Sequence, residues 1–221
     1  MKNHLTGLLA LAAIVLPSCA GNSPPVAAPA VPRVVLVHGF LENGNTFKPL
    51  KKRLEKRGFD VYVPELLHCD GRGGLDLLAA HLKQDIDTRF GPDAPLSIVS
   101  FSMGGLVSRY YLQELGGADR CRNFITISSP HHGTKAAWAY PSRGAIQMRP
   151  GSPFLRELAA TQGKLGDIPV TSYRTPMDLI ILPPRSSVWK RAENLEYPVL
   201  AHPLMLTSSS VLNDIERRLE K

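Results

Sequence analysis

Apolar residues in this chain alternate between short unbroken runs and stretches where they recur every three or four positions. VVLVHG, residues 34–39, is a near-continuous apolar run ending in a turn. That pattern predicts a strand buried on both faces, as in a parallel sheet. Residues 45–57 then carry Phe47, Leu50 and Leu54 at helical spacing and stop at Gly58, which predicts a helix. FDVYVPEL (59–66) predicts a second strand, and Leu75, Leu78, Leu82 and Ile86 place one face of a helix over 74–90. LSIVSF (96–101) and CRNFITISS (121–129) predict further strands, with a helix over 103–115 between them. A fifth strand is expected over 168–175 and a short sixth within 194–201. The closing helix, 208–221, would turn Val211, Leu212, Ile215 and Leu219 inward. Alternating strands and helices with crossovers of this length imply a mostly parallel sheet of about six strands, helices on both faces. Residues 129–168 break the pattern and predict an irregular excursion. SPFLRELAA (152–160) is its one clear helix, with Ser152 as cap and Pro153 in first position.

The first residues read differently again. Lys2 and His4 precede the apolar run LLALAAIVLP, and Ser18, Cys19 and Ala20 follow. A positive start, a short apolar core and small residues describe an export signal. The run is too short to span a bilayer comfortably. Leu16-Pro17-Ser18-Cys19 resembles the bacterial lipoprotein box, in which Cys19 becomes the lipidated first residue, although Pro17 departs from the usual small residue. Cleavage after Ala20 with plain secretion is the alternative. The expected organisation is a signal at 1–18 (or 1–20), a Pro-rich tether at 19–32, and one folded body at 33–221. The expected location is the bacterial cell envelope, lipid-anchored with the body outside the cytoplasm, or else the periplasm or medium.

Composition narrows the partners. With 43% hydrophobic and 20% charged residues the chain has enough apolar material for a core, so disorder is excluded. The net charge of +7 could favour anionic surfaces, but no basic cluster is interleaved with aromatics, so nucleic acid is not an expected partner. Lys51, Lys52, Arg53, Lys56 and Arg57 are expected to form the wet face of the first helix. Cys69 follows a predicted strand while Cys121 precedes one, which puts them near opposite sheet edges. Two buried thiols are expected rather than a bridge.

SFSMGG, residues 100–105, directly follows a predicted buried strand and opens a helix. A nucleophile elbow needs that context, because the sharp turn lifts a serine hydroxyl above the sheet edge. Ser102 is the candidate nucleophile, with Gly104 small enough for close approach and Gly105 letting the helix pack. Ser100 stands where the pattern G-x-S-x-G has glycine. A serine needs a base, and histidine suits by pKa and reach. His202 follows a short strand late in the chain and fits the order nucleophile, acid, histidine. Between them Asp178 lies just past the fifth predicted strand. Glu193 and Glu196, read as preceding the sixth, are its rivals. Oxyanion donors would be the backbone N–H of Met103 and one from the loop HGFLENG, Phe40 first and Leu41 second.

VVLVHGF, SFSMGGLVSRYY, Asp178 and AHPLMLTSSSV together resemble bacterial lipases and carboxylesterases of the small α/β-hydrolase kind, over about residues 33–219. The resemblance implies an α/β-hydrolase fold and a Ser102–His202–Asp178 acyl-enzyme mechanism on carboxylic esters. It maps Phe40 and Met103 to the oxyanion hole. It makes ISSPHHGT a segment beside the elbow, whose His131 and His132 are structural or wall the pocket, with Leu41 as a further wall. RPGSPFLREL resembles a short cap, which favours short or medium esters. No cofactor is called for, although a structural calcium stays open, and a monomer is expected. Thioesterase, amidase, phospholipase A-like and acyltransferase chemistry use the same triad, and a non-catalytic binding domain of this fold is the answer of another class.

Overall fold

In the parallel sheet that organises the chain, successive residues of each strand feed opposite layers. The computed structural model describes residues 31–220. The signal reading, Cys19 and most of the tether lie outside the described residues. Six strands form one sheet in the order β2-β1-β3-β4-β5-β6, every pair parallel. They are β1 (Arg33–Val37), β2 (Asp60–Tyr62), β3 (Leu96–Phe101), β4 (Cys121–Ile127), β5 (Val170–Arg174) and β6 (Glu193–Glu196). Val34 and Leu36 of β1 join Phe47, Leu50, Leu212 and Ile215 in one core. Val35 and Val37 join Leu78, Leu82, Leu106 and Val107 in the other. Helices α1 (Lys48–Lys56) and α6 (Ser209–Leu219) therefore cover one face. Helices α2 (Leu75–Phe90) and α3 (Met103–Glu114) cover the other. The α/β sheet with helices on both faces is as the sequence pattern implied.

Several boundaries move, each for a local reason. The second strand is three residues rather than eight: it is an edge strand, and Pro64 has no N–H to continue a ladder. Leu66 instead donates its amide to His38 Nε2 at 3.0 Å. Strand β6 begins at Glu193, so Glu193 and Glu196 lie within the strand and not before it, a correction to the sequence reading. The excursion over 129–168 holds two short helices, α4 (Arg143–Gln147) and α5 (Pro153–Ala160). Ser152 caps α5 as expected, accepting the Leu155 amide at 3.2 Å. The unforeseen α4 is one turn on a Ser142 cap, too short to show an apolar stripe.

The basic face of α1 is also less free than its pattern implies. Arg53 and Arg57 reach the carboxylate of Glu216 on α6, which is buried, and Arg57 also pairs with Glu220. These ion pairs strap the two helices of that face together, so Arg53 and Arg57 are not simply solvated. Cys69 and Cys121 are free thiols, the first half-buried and the second buried. Burial pushes the Cys121 thiol up to about 12, which makes it unreactive. Among the described residues no helix is long and apolar enough to cross a membrane.

Candidate active site

The strand order places the site. After β1 the chain goes outward to β2, then returns to β3 on the other side of β1. Val37 pairs with Ser100, so the loops leaving β1 and β3 emerge side by side at the carboxyl edge. A crevice at such a reversal is where ligands bind in open α/β sheets. The loops after β5 and β6 leave the same edge because every strand runs the same way.

Ser102 stands at that crevice in a conformation that L-residues avoid, with φ 53° and ψ −125°. The strain is held from both sides. Its own amide donates to Ile127 O at 2.8 Å, and the helix starts at Met103. Gly104 meets the end of β1 so closely that a Cβ there would lie 2.4 Å from Val37 O and 2.5 Å from His38 O. Ser100 is fully buried where a glycine is usual, and its hydroxyl shares a 2.7 Å hydrogen bond with Ser108 on α3. The departure in the motif is thus absorbed by a partner on the very helix the elbow launches. Ser100→Gly should orphan the Ser108 hydroxyl and loosen β3, lowering stability by about 1–3 kcal/mol. Chemical denaturation would check this, and an unchanged midpoint would show that the bond contributes nothing.

Asp178 and His202 meet. His202 Nδ1 lies 2.7 Å from Asp178 Oδ2, and both side chains are buried. The other oxygen, Oδ1, accepts the amides of Ile180 and Ile181 at 2.9 and 2.8 Å. Burial alone would raise the Asp178 carboxyl, but His202 and these two amides outweigh it and hold it below the usual carboxylate range. Asp178 therefore stays ionised, and its pairing stabilises the fold above the ordinary carboxylate pKa, a contribution lost only as pH falls through the lowered one. The His202 ring also packs on Phe101, the residue before Ser102, with centroids 4.6 Å apart. The rival carboxylates are engaged elsewhere, Glu193 with Arg218 and Glu196 with Arg174.

The loop after β1 offers its amides unequally. Leu41 has a positive φ of 57° and donates its N–H to Cys69 O at 3.1 Å. Gly39 donates to Glu42 Oε2 at 2.9 Å. The amide of Phe40, between them, has no acceptor among the described residues. That favours Phe40 over Leu41 as a donor to a ligand. Glu42 was not legible as a site residue. Its Oε2 ties the loop back on itself through the Gly39 amide, and burial raises its carboxyl, a rise that this amide and His202 oppose.

The other histidines are structural or distant. Buried His38 braces β1 against the loop after β2 through Leu66. His131 is buried against Thr126, with its pKa held well below the ordinary value by desolvation and by Arg109, so it is a neutral ring. His131 and His132 do line a cavity, but Ser102, Asp178 and His202 do not line that one. Among the described residues no group of three or more His, Cys, Asp or Glu is gathered closely enough to hold a metal ion.

Comparison with known proteins agrees with this fold. The profile of the family described as "alpha/beta hydrolase fold" matches residues 32–204. The mature Bacillus licheniformis lipase BlEst2 superposes with a TM-score of 0.70 at 16% identity, covering 90% of this chain and 96% of that one. Aspergillus fumigatus lipase B gives 0.75 at 17% identity, covering 86% of this chain and 53% of the fungal one. The thioesterase domain of the curacin biosynthetic pathway gives 0.61 at 14% identity, covering 88% and 92%. No curated protein matches the chain. At these identities the solved structures speak for the architecture alone, whereas the family profile spans the sheet, the elbow and both partner loops: the chain belongs to the α/β-hydrolase fold family.

Proposed function

We propose that this protein is a serine hydrolase that cleaves carboxylic esters of apolar acyl groups through an acyl-enzyme. The observation that carries the reading is the buried Asp178–His202 pair, delivered to the same sheet edge as a Ser102 held in strained elbow geometry. A non-catalytic domain would have no use for that strain or for a buried carboxylate–imidazole pair.

The chemistry follows from the groups in place. Asp178, fixed as an acceptor, orients the ring so that Nδ1 carries the proton and Nε2 is the free base. His202 takes the Ser102 proton as the hydroxyl oxygen attacks the ester carbonyl. The N–H groups of Met103 and Phe40 hold the oxyanion that forms. His202 then returns the proton to the leaving alcohol, and water activated by the same ring releases the acid. Asp178 remains ionised and stabilises the imidazolium throughout.

The flanks of these residues support an apolar acyl group. Leu41 stands 60% exposed in the oxyanion loop, Leu179 is 79% exposed beside Asp178, and Leu200 is 76% exposed two residues before His202. Water-exposed leucines at three of the loops around one site are a surface waiting for apolar contact. The short α4 and α5 leave room for little cap, which supports short or medium chains or broad specificity. If Cys19 carries a lipid, the site works next to a membrane, where such esters are found. Thioester cleavage is the second reading, since the same groups perform it and a thioesterase domain shares the architecture.

The test is a chain-length series of matched oxyesters and thioesters, with fluorophosphonate labelling of the folded protein. Labelling together with a kcat/KM that rises from acetate toward medium-chain oxyesters is expected. Preference for thioesters at every length would move the function to the second reading. A folded protein that neither labels nor turns over would remove hydrolysis altogether.

A further inference from the structure

Away from the catalytic groups, a cavity of about 880 Å³ opens between α3, α5 and the loop over 183–190. That is within the usual range for small-molecule sites. Pro150, Leu155, Ala159, Pro183 and Val188 give it apolar walls. Every charged residue that lines it is basic: Arg109, Lys135, Arg156, Arg185 and Lys190, with no Asp or Glu among the lining residues. Four of the five are exposed; Arg156 donates to Gly151 O beside the cavity, which leaves Lys135, Arg185 and Lys190 to face a ligand at the mouth.

Arg109 is the unusual member. It is 98% buried, being only 2% exposed, and no carboxylate among the described residues pairs with it. Its Nε donates to Gln113 Oε1 at 3.1 Å and Nη2 to Leu158 O at 2.8 Å. Nη1 has only a long 3.5 Å contact with His131 Nδ1. The guanidinium stacks over Trp189, which also lines the cavity, at 4.1 Å from the ring centroid. Desolvation pulls Arg109 down to about 9, the mark of a buried cation without a counter-charge. Buried charges are normally paired, because leaving one unpaired is costly. At 1.5 Å per residue Arg109 lies about 10 Å along α3 from Ser102.

We propose that this cavity is a second binding site, for an amphiphile with one apolar chain and one terminal anion. The anion would supply the counter-charge that Arg109 lacks and meet the basic mouth, while the chain would lie along the proline, leucine and valine walls. A carboxylate, as on a free fatty acid, and a phosphate monoester share this chemistry. Binding there would be independent of the reaction at Ser102.

Trp189 supplies the readout. The chain has two tryptophans, Trp138 and Trp189, so Trp138→Phe leaves one emitter inside the cavity. Dodecanoate, dodecyl phosphate, dodecanol and dodecyltrimethylammonium are titrated below their micelle concentrations. Saturable change in Trp189 emission with one or both anions, and at least tenfold weaker response to the alcohol and the cation, is expected. A difference between the two anions identifies the head group preferred. The exposed double variant Arg185→Glu/Lys190→Glu should weaken anion binding at least tenfold without touching the core, which avoids the folding risk of replacing Arg109. Equal binding of the neutral alcohol, or indifference to the double variant, would overturn the proposal. So would dodecanoate that blocks fluorophosphonate labelling at the concentrations that fill the Trp189 site, because the cavity would then belong to the catalytic pocket. Failure of ester turnover, with anion binding intact, would count against the proposed function alone.

Discussion

Ser102→Ala is expected to lower kcat by roughly 10⁶-fold and to abolish fluorophosphonate labelling, with the fold unchanged. Alanine meets the same penalty as serine at φ 53° and ψ −125°, so the strained elbow should persist and the thermal midpoint should stay near the parent's. The residual rate would come from the Met103 and Phe40 amides and from binding. Asp178→Asn makes the complementary measurement, with a loss of about 10⁴-fold. The amides of Ile180 and Ile181 require an acceptor at Oδ1. An asparagine must then turn its NH₂ toward His202 Nδ1, where it donates instead of accepting and forces the proton to the wrong ring nitrogen. Activity in Ser102→Ala within tenfold of the parent would end the acyl-enzyme reading. A loss in Glu196→Gln as deep as in Asp178→Asn would move the acid's role away from Asp178.

How far the sequence carried this picture depends on the range of the interactions involved. Strands β1, β3 and β4 were legible because they are buried on both faces and so read as unbroken apolar runs. The edges were not: β2 is cut short by Pro64, and β6 carries the sequence ENLE, whose polar residues pair with Arg174 and Arg218 instead of a core. The elbow showed as a local pattern, and its irregular Ser100 made sense only when Ser108 came into contact across the strand–helix turn. The meeting of Asp178 and His202 could be inferred from chain order, since all loops leaving one edge of a parallel sheet converge. Glu42 could not, because its significance is a contact with Gly39 and a charge near His202 that no spacing encodes. The uncompensated Arg109 was equally silent: within the sequence it is one arginine in the helix after the elbow, and its isolation appears only once the partners that might have paired with it are seen to lie elsewhere.

Gly104→Ala is expected to damage both the fold and the rate, although it adds only a methyl group. In an ordinary helix the change would stabilise by about 1 kcal/mol, since alanine is the better helix former. Here the added Cβ would lie 2.4 Å from Val37 O and 2.5 Å from His38 O, both backbone atoms at the end of the central strand. Neither can rotate away as a side chain would. Strand β1 and the start of α3 must therefore separate, at a cost of about 1–3 kcal/mol and occasionally more for such overpacking. The same displacement moves Ser102 away from Phe40, because the contact that fails is the one aligning the elbow with the oxyanion loop. A shift near 1 Å is worth about 10²-fold in rate. The expected result is a lowered unfolding midpoint together with a fall in kcat that exceeds any change in KM. Gly163→Ala is the matched control, as no atom lies within 4 Å of its added Cβ and its backbone is not left-handed. If both variants behaved alike in stability and turnover, close approach at Gly104 would not be what positions Ser102. A penalty confined to Gly104→Ala would tie the strained serine to a place where helix and strand β1 have no room for a side chain.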